Sequence, residues 1–550
     1  MKKNPSPFSV RSGRLLTAAC LVVLSFPLAR AQTWTPTATG TYDWDNNANW
    51  SASPFPNAVD ASAAFSVDLA NPQTVNLNQT ITVGSMSFLD DGATKGSSTF
   101  NLAAGTSGSL ILQTSSGNAL VSMSAADSAR KPNVTVSADI TVNSNTTFDT
   151  SNSGSTSKQF TLSGSLSGSG TITKDGSKGR LTVTGDNSAY TGTWILDGGV
   201  STSYFRVSAD NNLGAVPVSS TNNIIVNSNA TMEFTPGTYT LHANRDILVN
   251  SGSLALAATA WNTYVTIAGD ISGAGGITRS VDKGNSPHIT LSGNNTYTGQ
   301  TRITHGRLRA GSTQAFGVDS EVVMGTGTYD KNNILDLNDF DNAIGSLSGG
   351  NTTKGLVDLG SATLTTGSND MSTNYSGIIY GTGGLTKVGT GTMTLSEVNT
   401  YTGVTTINGG TLEIDASERL DDASALVLGG GTFGTGGFNE TLYTLTLNSN
   451  STLDFGAGTS ALAFADSSAI SWSGTLALAN FDIGTDSLQF GASGAALTAG
   501  QLDAISLDGY SASLDAGGFV TFAVIPEPST FMLVGISMMA LVASRSRKRN

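Results

Sequence analysis

The amino-acid sequence predicts an all-β protein built as a right-handed parallel β-helix, a β-solenoid with a cap at each end. Three observations favour it: 65 glycines in 550 residues, a charged fraction of only 12%, and apolar residues that alternate with Thr and Ser. Alternation with a period of two is typical of strands that bury one face. Strands this short cannot bury a core alone, whereas stacked coils can.

A block of sequence recurs three times, at about residues 160–200, 265–310 and 375–415. Each copy has a glycine-rich start followed by an apolar-Thr-basic triplet, then an alternating strand, and then a Tyr-Thr-Gly element. The three Tyr-Thr-Gly elements stand at residues 190–192, 297–299 and 401–403. Nearly regular spacing of this kind indicates an internal structural repeat.

Within the last copy, alternating apolar residues are predicted to point inward and the Thr residues between them outward. The predicted inward residues are Leu385, Met393, Leu395, Ile407, Leu412 and Ile414. The pairs Gly383-Gly384 and Gly409-Gly410 are expected to supply the positive φ of tight corners. We expect the Tyr of each copy to cover the core beside a turn, and successive coils to lie about 4.8 Å apart.

These blocks resemble the autotransporter-associated β-strand repeat, which occurs in passenger regions of bacterial surface proteins. The resemblance implies a secreted, structural β-helix. It departs from an autotransporter at the end of the chain, where a sorting-type tail follows the repeats in place of a translocator domain. Transport through the outer membrane by the chain itself is therefore not expected.

The chain is predicted to divide into five segments. They are a signal peptide (1–31), a Trp-rich cap (32–74), the solenoid (75–455), a C-terminal β cap (456–523) and a sorting tail (524–550). In the Trp-rich segment, Trp34, Trp44 and Trp50 are expected either to cap the open end of the solenoid or to form a carbohydrate platform. The C-terminal cap contains one predicted short helix, begun by Thr498.

Residues 1–31 fit a secretory signal peptide, with a basic start, the apolar run Leu15–Leu28 and a small-x-small site. Cleavage after Ala29-Arg30-Ala31 would leave Gln32 as the new N-terminus. The single cysteine, Cys20, lies within this peptide. The mature chain is therefore predicted to have no disulfide, thiolate metal site or Cys nucleophile.

The tail has three parts: Pro526-Glu527-Pro528, the apolar stretch Phe531–Ala543, and a basic end. The basic residues are Arg545, Arg547, Lys548 and Arg549. Thirteen apolar residues are short for a membrane span, which normally takes about 20. A cluster of positive charge after a span stays in the cytoplasm.

This tail is similar to the PEP-CTERM sorting signal of Gram-negative bacteria. The resemblance implies recognition of Pro526, Glu527 and Pro528 by an exosortase, a membrane-embedded protease. It implies membrane retention by a short transmembrane helix before processing, with the basic end as a stop. It also implies association with the cell surface and exopolysaccharide. A plain C-terminal anchor is the alternative, and whether the tail is cleaved or kept stays open.

The body of the chain is acidic. Nine of the 27 basic residues and one of the 40 acidic residues, Glu527, lie in the two ends, so residues 32–525 keep 18 basic and 39 acidic residues and carry a net charge of about −21. Such a body repels nucleic acid and anionic lipid surfaces, and neither is a predicted partner.

No catalytic constellation is predicted. The three histidines, His242, His288 and His305, lack a metal-binding spacing. Asp336, Asp339 and Asp341 form the densest acidic cluster, which we interpret as a solvated turn because the Gly and the closing Glu of a calcium loop are missing. No cofactor, metal site or catalytic residue is therefore predicted.

The resulting prediction is a non-enzymatic structural or adhesive protein of the cell surface, cell envelope or extracellular matrix of a Gram-negative bacterium. Its expected partners are the exosortase and exopolysaccharide or other surface glycans. Two alternatives stay open. A β-helical polysaccharide lyase or glycosidase would need a carboxylate pair about 5–10 Å apart on one face, and a non-catalytic carbohydrate-binding module would bind glycan without turnover.

Overall fold

A computed structural model describes residues 31–525, except for 68–71, 91–98, 126–132, 151–158, 177–178, 200–202, 281–286 and 327–332. Most of the predicted signal peptide and the sorting residues from Pro526 onward lie outside the described residues. The regular secondary structure of the described chain is almost entirely β-strand.

The predicted right-handed parallel β-helix is confirmed. One parallel sheet, sheet 1, runs along the whole described solenoid and receives one strand from each of twenty coils. Its strands are Gly40–Asp43, Gln73–Asn76, Thr99–Ala103, Asn133–Val136, Gln159–Leu162, Arg180–Val183, Ser203–Val207, Ala230–Phe234, Ser253–Ala258, Gly276–Ser280, Thr301–Ile303, Glu321–Met324, Ser346–Gly349, Thr373–Tyr375, Thr392–Leu395, Thr411–Ile414, Thr432–Gly434, Ser451–Asp454, Leu476–Ala479 and Ile505–Ser506.

Two further sheets complete the coils of the N-terminal half. Sheet 2 has ten strands: Gln32–Thr33, Ser62–Val67, Ser85–Asp90, Ala119–Ala125, Thr146–Asp149, Ile172–Asp175, Trp194–Asp197, Thr221–Val226, Arg245–Val249 and Ile271–Ser272. Sheet 3 has five strands: Ile81–Val83, Leu110–Leu112, Ile140–Val142, Leu166–Gly168 and Ala189–Tyr190.

Three other sheets serve the C-terminal half. Sheet 4 has eight strands: Gly237–Leu241, Thr263–Ile267, His288–Leu291, Gly306–Ala310, Asn333–Asp336, Leu356–Asp358, Ile379–Gly381 and Thr400–Tyr401. Sheet 5 has six strands: Asn342–Ile344, Leu364–Thr366, Leu385–Lys387, Thr405–Ile407, Leu426–Leu428 and Leu445–Leu447. Sheet 6 has three strands: Glu440–Leu442, Ala461–Phe464 and Ser487–Phe490.

The remaining elements are short. Two 3-10 helices span Asn47–Asn49 and Asp210–Leu213, and an antiparallel hairpin pairs Tyr510–Leu514 with Val520–Val524. The one α-helix of the described residues, Ala499–Ala504, begins at the N-cap Thr498, whose hydroxyl accepts from the Gln501 N–H. The predicted short helix is therefore confirmed.

The core is a stack of inward side chains. All six residues predicted to point inward in the last repeat are buried. Trp34, Trp44 and Trp50 are buried as well and pack on Phe65, with ring centroids 5.6 Å from it. Buried rings have no face to offer a sugar, so these three tryptophans do not form a carbohydrate platform.

The Asn before each Tyr-Thr-Gly element ties three coils together. Asn295 accepts from the Ile271 N–H of the preceding coil at 2.7 Å and donates to the Ala315 carbonyl of the following coil at 2.6 Å. Asn187 and Asn399 make the same pair of bonds in the other two repeats. Each Asn thereby satisfies backbone groups that would otherwise lie buried at a corner.

The Tyr hydroxyls are also satisfied inside the stack. In the second repeat the hydroxyls of Tyr297 and Thr301 lie 2.8 Å apart, and Thr301 lies 2.9 Å from Ser320. Tyr401 and Thr405 repeat the first of these contacts at 2.7 Å. Thr301 and Thr405 are buried, so the expectation that the repeat Thr residues all point outward is wrong at this position.

Close approach between coils, rather than positive φ, explains several repeat glycines. A Cβ on Gly383 would lie 1.8 Å from the Ala362 carbonyl oxygen, and one on Gly403 would lie 2.2 Å from the Gly383 oxygen. Of the two predicted pairs, only Gly410 has positive φ, at 59°. The prediction of positive φ is thus wrong for Gly383, Gly384 and Gly409.

Each repeat also buries a cation. Lys174, Arg279 and Lys387 occupy equivalent inward positions and are almost completely buried. Lys174 Nζ donates to the carbonyls of Asp175 and Gly176 at 2.7 and 3.0 Å, and Lys387 Nζ donates to the Val388 carbonyl at 2.7 Å. The two lysines thus cap corner carbonyls, whereas Arg279 donates to the carbonyls of Leu256 and Ser280. Burial lowers the pKa of Lys174 to about 8.

We predict that Asn295→Ala lowers the free energy of unfolding by about 2 to 4 kcal/mol, since it leaves one buried N–H and one buried carbonyl unpaired. The control is Asn294→Ala, whose side chain is exposed and whose loss should cost less than about 0.5 kcal/mol. Urea unfolding of both variants measures the difference. Equal midpoints for the two variants would contradict the role given to Asn295.

Lys174 should also make stability depend on pH. Its pKa in the folded chain, about 8, lies below the 10.5 of an unperturbed lysine. The unfolded chain therefore binds more protons between these two values, so the free energy of unfolding rises with pH across this window, by about 3 kcal/mol at most.

Urea midpoints measured at steps between these two pH values test this expectation. Lys174→Met should lose most of the rise with pH, while Lys354→Met should keep it. The part that remains in Lys174→Met should disappear in the double variant Lys174→Met/Lys387→Met, because burial lowers the pKa of Lys387 as well. A rise of wild-type size in Lys174→Met would assign the pH dependence to another group.

Candidate functional site

A groove of about 330 Å³ lies on the outer face of sheet 1. We call it the sheet 1 groove. Its floor consists of small outward residues on successive strands. Thr231 pairs with Ala255, and Ala255 pairs with Thr278, so these three residues form a row that runs across the strands. In the next outward row, Ala257 follows Glu233. Where neighbouring strands place only small side chains outward, the sheet surface is recessed.

Larger side chains bound the groove at both ends. Tyr204 precedes Thr231 in the same row, and Arg302 follows Thr278. A second cavity of about 160 Å³ shares Ser253 and Thr278 with the groove and extends to Arg302. The recess therefore runs from Tyr204 to Arg302 across five adjacent strands.

The Tyr204 end carries an ion cluster. Arg180 contacts Glu233 through two bonds, Nε–Oε2 at 2.5 Å and Nη2–Oε1 at 2.9 Å. Arg206 reaches the same carboxylate at 3.0 Å. The guanidinium of Arg180 also lies 5.9 Å from the centroid of the Tyr204 ring. One carboxylate thus faces two cations, which leaves one positive charge in excess.

Burial lowers the pKa of Arg206, and the neighbouring Arg180 lowers it further, while Glu233 opposes both effects. At the other end, Arg302 Nη2 donates to Gln300 Oε1 at 2.7 Å. Gln300 in turn donates to Glu321 at 2.8 Å. Among the described residues Arg302 makes no ion pair within 4.0 Å, and its side chain is exposed.

A second charged surface lies on the outer face of sheet 4. Arg307 contacts Asp336 at 2.5 Å and Asp358 at 3.2 Å, and Arg309 contacts Asp336 at 2.8 Å. Asp336 lies in a strand and its side chain is only 3% exposed. The interpretation of Asp336 as part of a solvated turn is therefore wrong, because two arginines from the preceding coil cover it.

The other two acids of that cluster cap the next coil. Asp339 accepts from the Ser361 N–H at 2.8 Å, and Asp341 accepts from the Thr363 N–H at 2.7 Å. Backbone bonding lowers the pKa of Asp339. Within the described ranges, no group of three or more His, Cys, Asp or Glu side chains is arranged to hold a metal ion.

Asp336 and Asp358 occupy paired positions on neighbouring strands of sheet 4, so they are a candidate carboxylate pair for the glycan-cleaving alternative. Both share Arg307, and Asp336 is held by Arg309 as well. With Asp336 covered, the arrangement is that of a structural ion ladder.

His288 belongs to the same surface. Its ring lies 4.9 Å from that of Tyr264. Burial, followed by the charges of Arg309 and Arg307, lowers its pKa. The neutral imidazole therefore extends the ladder without adding charge.

One buried acid stands apart from both surfaces. Glu440 accepts from the Arg419 N–H at 2.8 Å and from the Leu420 N–H at 3.3 Å. Burial raises its pKa to about 8, and Glu418 adds to this while the two N–H groups oppose it. Its bonds go to corner backbone of the preceding coil, as those of the repeat Asn residues do, which indicates a structural role.

Few of the site residues predicted from the sequence lie within the described part of the chain. Gln32 begins the first strand and its Nε2 donates to the Pro54 carbonyl at 2.8 Å. Ala29, Pro526, Glu527, Pro528 and the four basic tail residues lie outside the described residues. The sheet 1 groove was not predicted, because its residues come from strands more than 20 positions apart and meet only through the register.

Family models match the three repeats and the C-terminal tail. The passenger-associated-transport-repeat model matches residues 172–200, 289–310 and 385–414. The model of the PEP-CTERM protein-sorting motif matches residues 524–548. The chain carries both motifs. Both resemblances drawn from the sequence are therefore confirmed.

A curated relative is the adhesin BmaC autotransporter of Brucella suis biovar 1 (strain 1330). It is 33% identical over 316 residues, which is 54% of this chain and 9% of the adhesin. This chain thus matches a small part of that protein's length. No solved structure is significantly similar to the chain.

The passenger-associated-transport repeats coincide with structural units. Each matched segment contains one Tyr-Thr-Gly element with its buried Tyr. The PEP-CTERM motif implies processing by an exosortase-type membrane protease. Among the described residues, no helix has the length and apolar character needed to cross a membrane, and the stretch Phe531–Ala543 lies outside them.

We predict that Asp336→Asn lowers the free energy of unfolding by about 2 kcal/mol, since Arg307 and Arg309 lose their buried counterion but still reach solvent. Asp358→Asn is the control, because Asp358 is more exposed and contacts only one arginine; it should cost less than about 1 kcal/mol. Urea unfolding measures both. A larger loss from Asp358→Asn would contradict the central position given to Asp336.

Proposed function

We propose that this protein is an exported, adhesive or structural component of the surface of a Gram-negative bacterium, processed by an exosortase-type protease and associated with exopolysaccharide. The observation that carries the proposal is the combination of passenger-associated-transport repeats with a C-terminal PEP-CTERM motif. Similarity to an autotransporter adhesin over 54% of the chain supports an adhesive role.

The architecture is suited to this role. Sheet 1 presents outward side chains along twenty stacked coils, and hydroxyl and amide groups at these positions can bond to a long ligand. The role needs no catalysis. In the enzyme alternative the pair Asp336–Asp358 would act on glycan, and purified protein would then release reducing ends from exopolysaccharide, which the proposed role excludes.

The sorting tail gives the first test. The secreted form should begin at Gln32 and should lack the segment after the Pro526-Glu527-Pro528 motif in wild-type cells. Replacing these three residues with alanine should leave the tail uncut and keep the protein in the membrane fraction, because the protease loses its recognition element. Intact-mass analysis of fractionated cells measures both results.

The matched control is Ser529→Ala, beside the motif, which should be processed as wild type is. A strain that lacks the exosortase should reproduce the defect of the alanine variant. An uncut tail and an unchanged fraction in both the wild-type and the exosortase-deficient strain would contradict the proposed sorting.

A further inference from the structure

We propose that the sheet 1 groove binds a carboxylate-bearing polysaccharide strand, with a sugar ring against Tyr204 and a carboxylate on Arg302. This inference rests on the proposed function, since it names the class of surface glycan and the place where it binds. The shape, the walls and the charge of the groove each contribute to it.

The shape fits an extended chain. The recess crosses five strands from Tyr204 to Arg302, which is about 19 Å at a strand spacing of about 4.8 Å. Its main cavity of about 330 Å³ is in the range of ligand sites. Such a length accommodates several sugar rings in a row rather than one small molecule.

Tyr204 forms an aromatic wall. Arg180 lies on the strand before Tyr204 and Thr231 on the strand after it. Since Arg180 occupies one face of the ring, the opposite face is directed along the row towards the groove floor. An aromatic face with small neighbours offers an apolar platform to the C–H face of a sugar ring.

Hydroxyl groups complete the floor. Ser253 and Thr278 both line the groove, with their hydroxyls 2.7 Å apart. Hydroxyls donate and accept, so they suit a ligand that is itself rich in hydroxyl groups.

The charge favours an acidic glycan over a neutral one. The Tyr204 end has one positive charge in excess, from Arg180 and Arg206 against Glu233, and Arg302 adds a second at the other end. Residues 32–525 carry about −21 and repel an acidic polymer over most of the surface. The two positive ends of the groove are therefore the places where the carboxylates of such a polymer can bind. A guanidinium binds a carboxylate with two parallel hydrogen bonds.

The test is binding of oligogalacturonate to the purified secreted protein by isothermal titration calorimetry, with a neutral cello-oligosaccharide of equal length as comparison. We expect binding of the acidic probe, weakened by salt, and at least tenfold weaker binding of the neutral one. Arg302→Gln should lower affinity for the acidic probe at least tenfold, and Tyr204→Ala should lower it to a similar degree.

A groove-filling variant tests the location independently of those side chains. Ala255→Trp should abolish binding, while Thr406→Trp, at an outward position of sheet 5, should bind as wild type does. Circular dichroism and the urea midpoint establish that both variants fold. Wild-type affinity in Ala255→Trp, or equal affinity of wild type for the neutral probe, would overturn the inference.

Failure of this inference is distinguishable from failure of the proposed function. If Ala255→Trp is still processed and retained on cells but binds the acidic probe like wild type, the groove assignment is wrong and surface sorting stands. If the protein is neither processed nor retained in wild-type cells, the proposed function fails whatever the groove binds.

Discussion

Backbone hydrogen bonding between successive coils is the constraint on which the rest of this molecule depends. Each strand of sheet 1 pairs in parallel with the next at a fixed register, so residues at equivalent positions stack about 4.8 Å apart along the solenoid. Inward residues then form the core, and outward residues form rows. Corners must also stack, and there the backbone has no sheet partner. The Asn bridges of the three repeats supply the missing bonds at those corners.

The buried cations follow from the same constraint. A corner that turns its carbonyls inward needs a donor, and Lys174 and Lys387 each provide one from an inward strand position. Arg279, at the equivalent position, donates instead to the carbonyls of Leu256 and Ser280 in two strands of sheet 1. Burying a charge is costly unless hydrogen bonds satisfy it. The lowered pKa of Lys174 reports this cost. The repeat therefore has polar residues in its core because they form the hydrogen bonds that the buried backbone of the coils needs.

Much of the fold was predictable because it depends on alternation. The period of two placed Leu385, Met393 and Ile414 inward, where they are buried. The same alternation also places Lys387 inward, two positions after Leu385, yet a lysine in a Thr-rich strand is easily interpreted as exposed. What could not be predicted are bonds whose partners lie one coil away. The Asn295 bridge, the Arg307–Asp336 contact and the close approach at Gly383 depend on which residues the register brings together.

The register also explains why the sheet 1 groove could not be predicted from the sequence. It further indicates which positions of a solenoid are available for a ligand site. Inward positions and corners are committed to packing and to backbone bonding, as Asn295 and Lys174 illustrate. Outward positions take part in neither the core packing nor the corner hydrogen bonds. Tyr204 and Arg302 can therefore replace the usual Thr without disturbing the stack of coils. A binding surface on a solenoid thus consists of one outward residue from each coil, and in this chain these residues are 20 or more positions apart in the sequence. The ligand class that such a surface can bind is recognised only when the strand register shows which of these residues are neighbours.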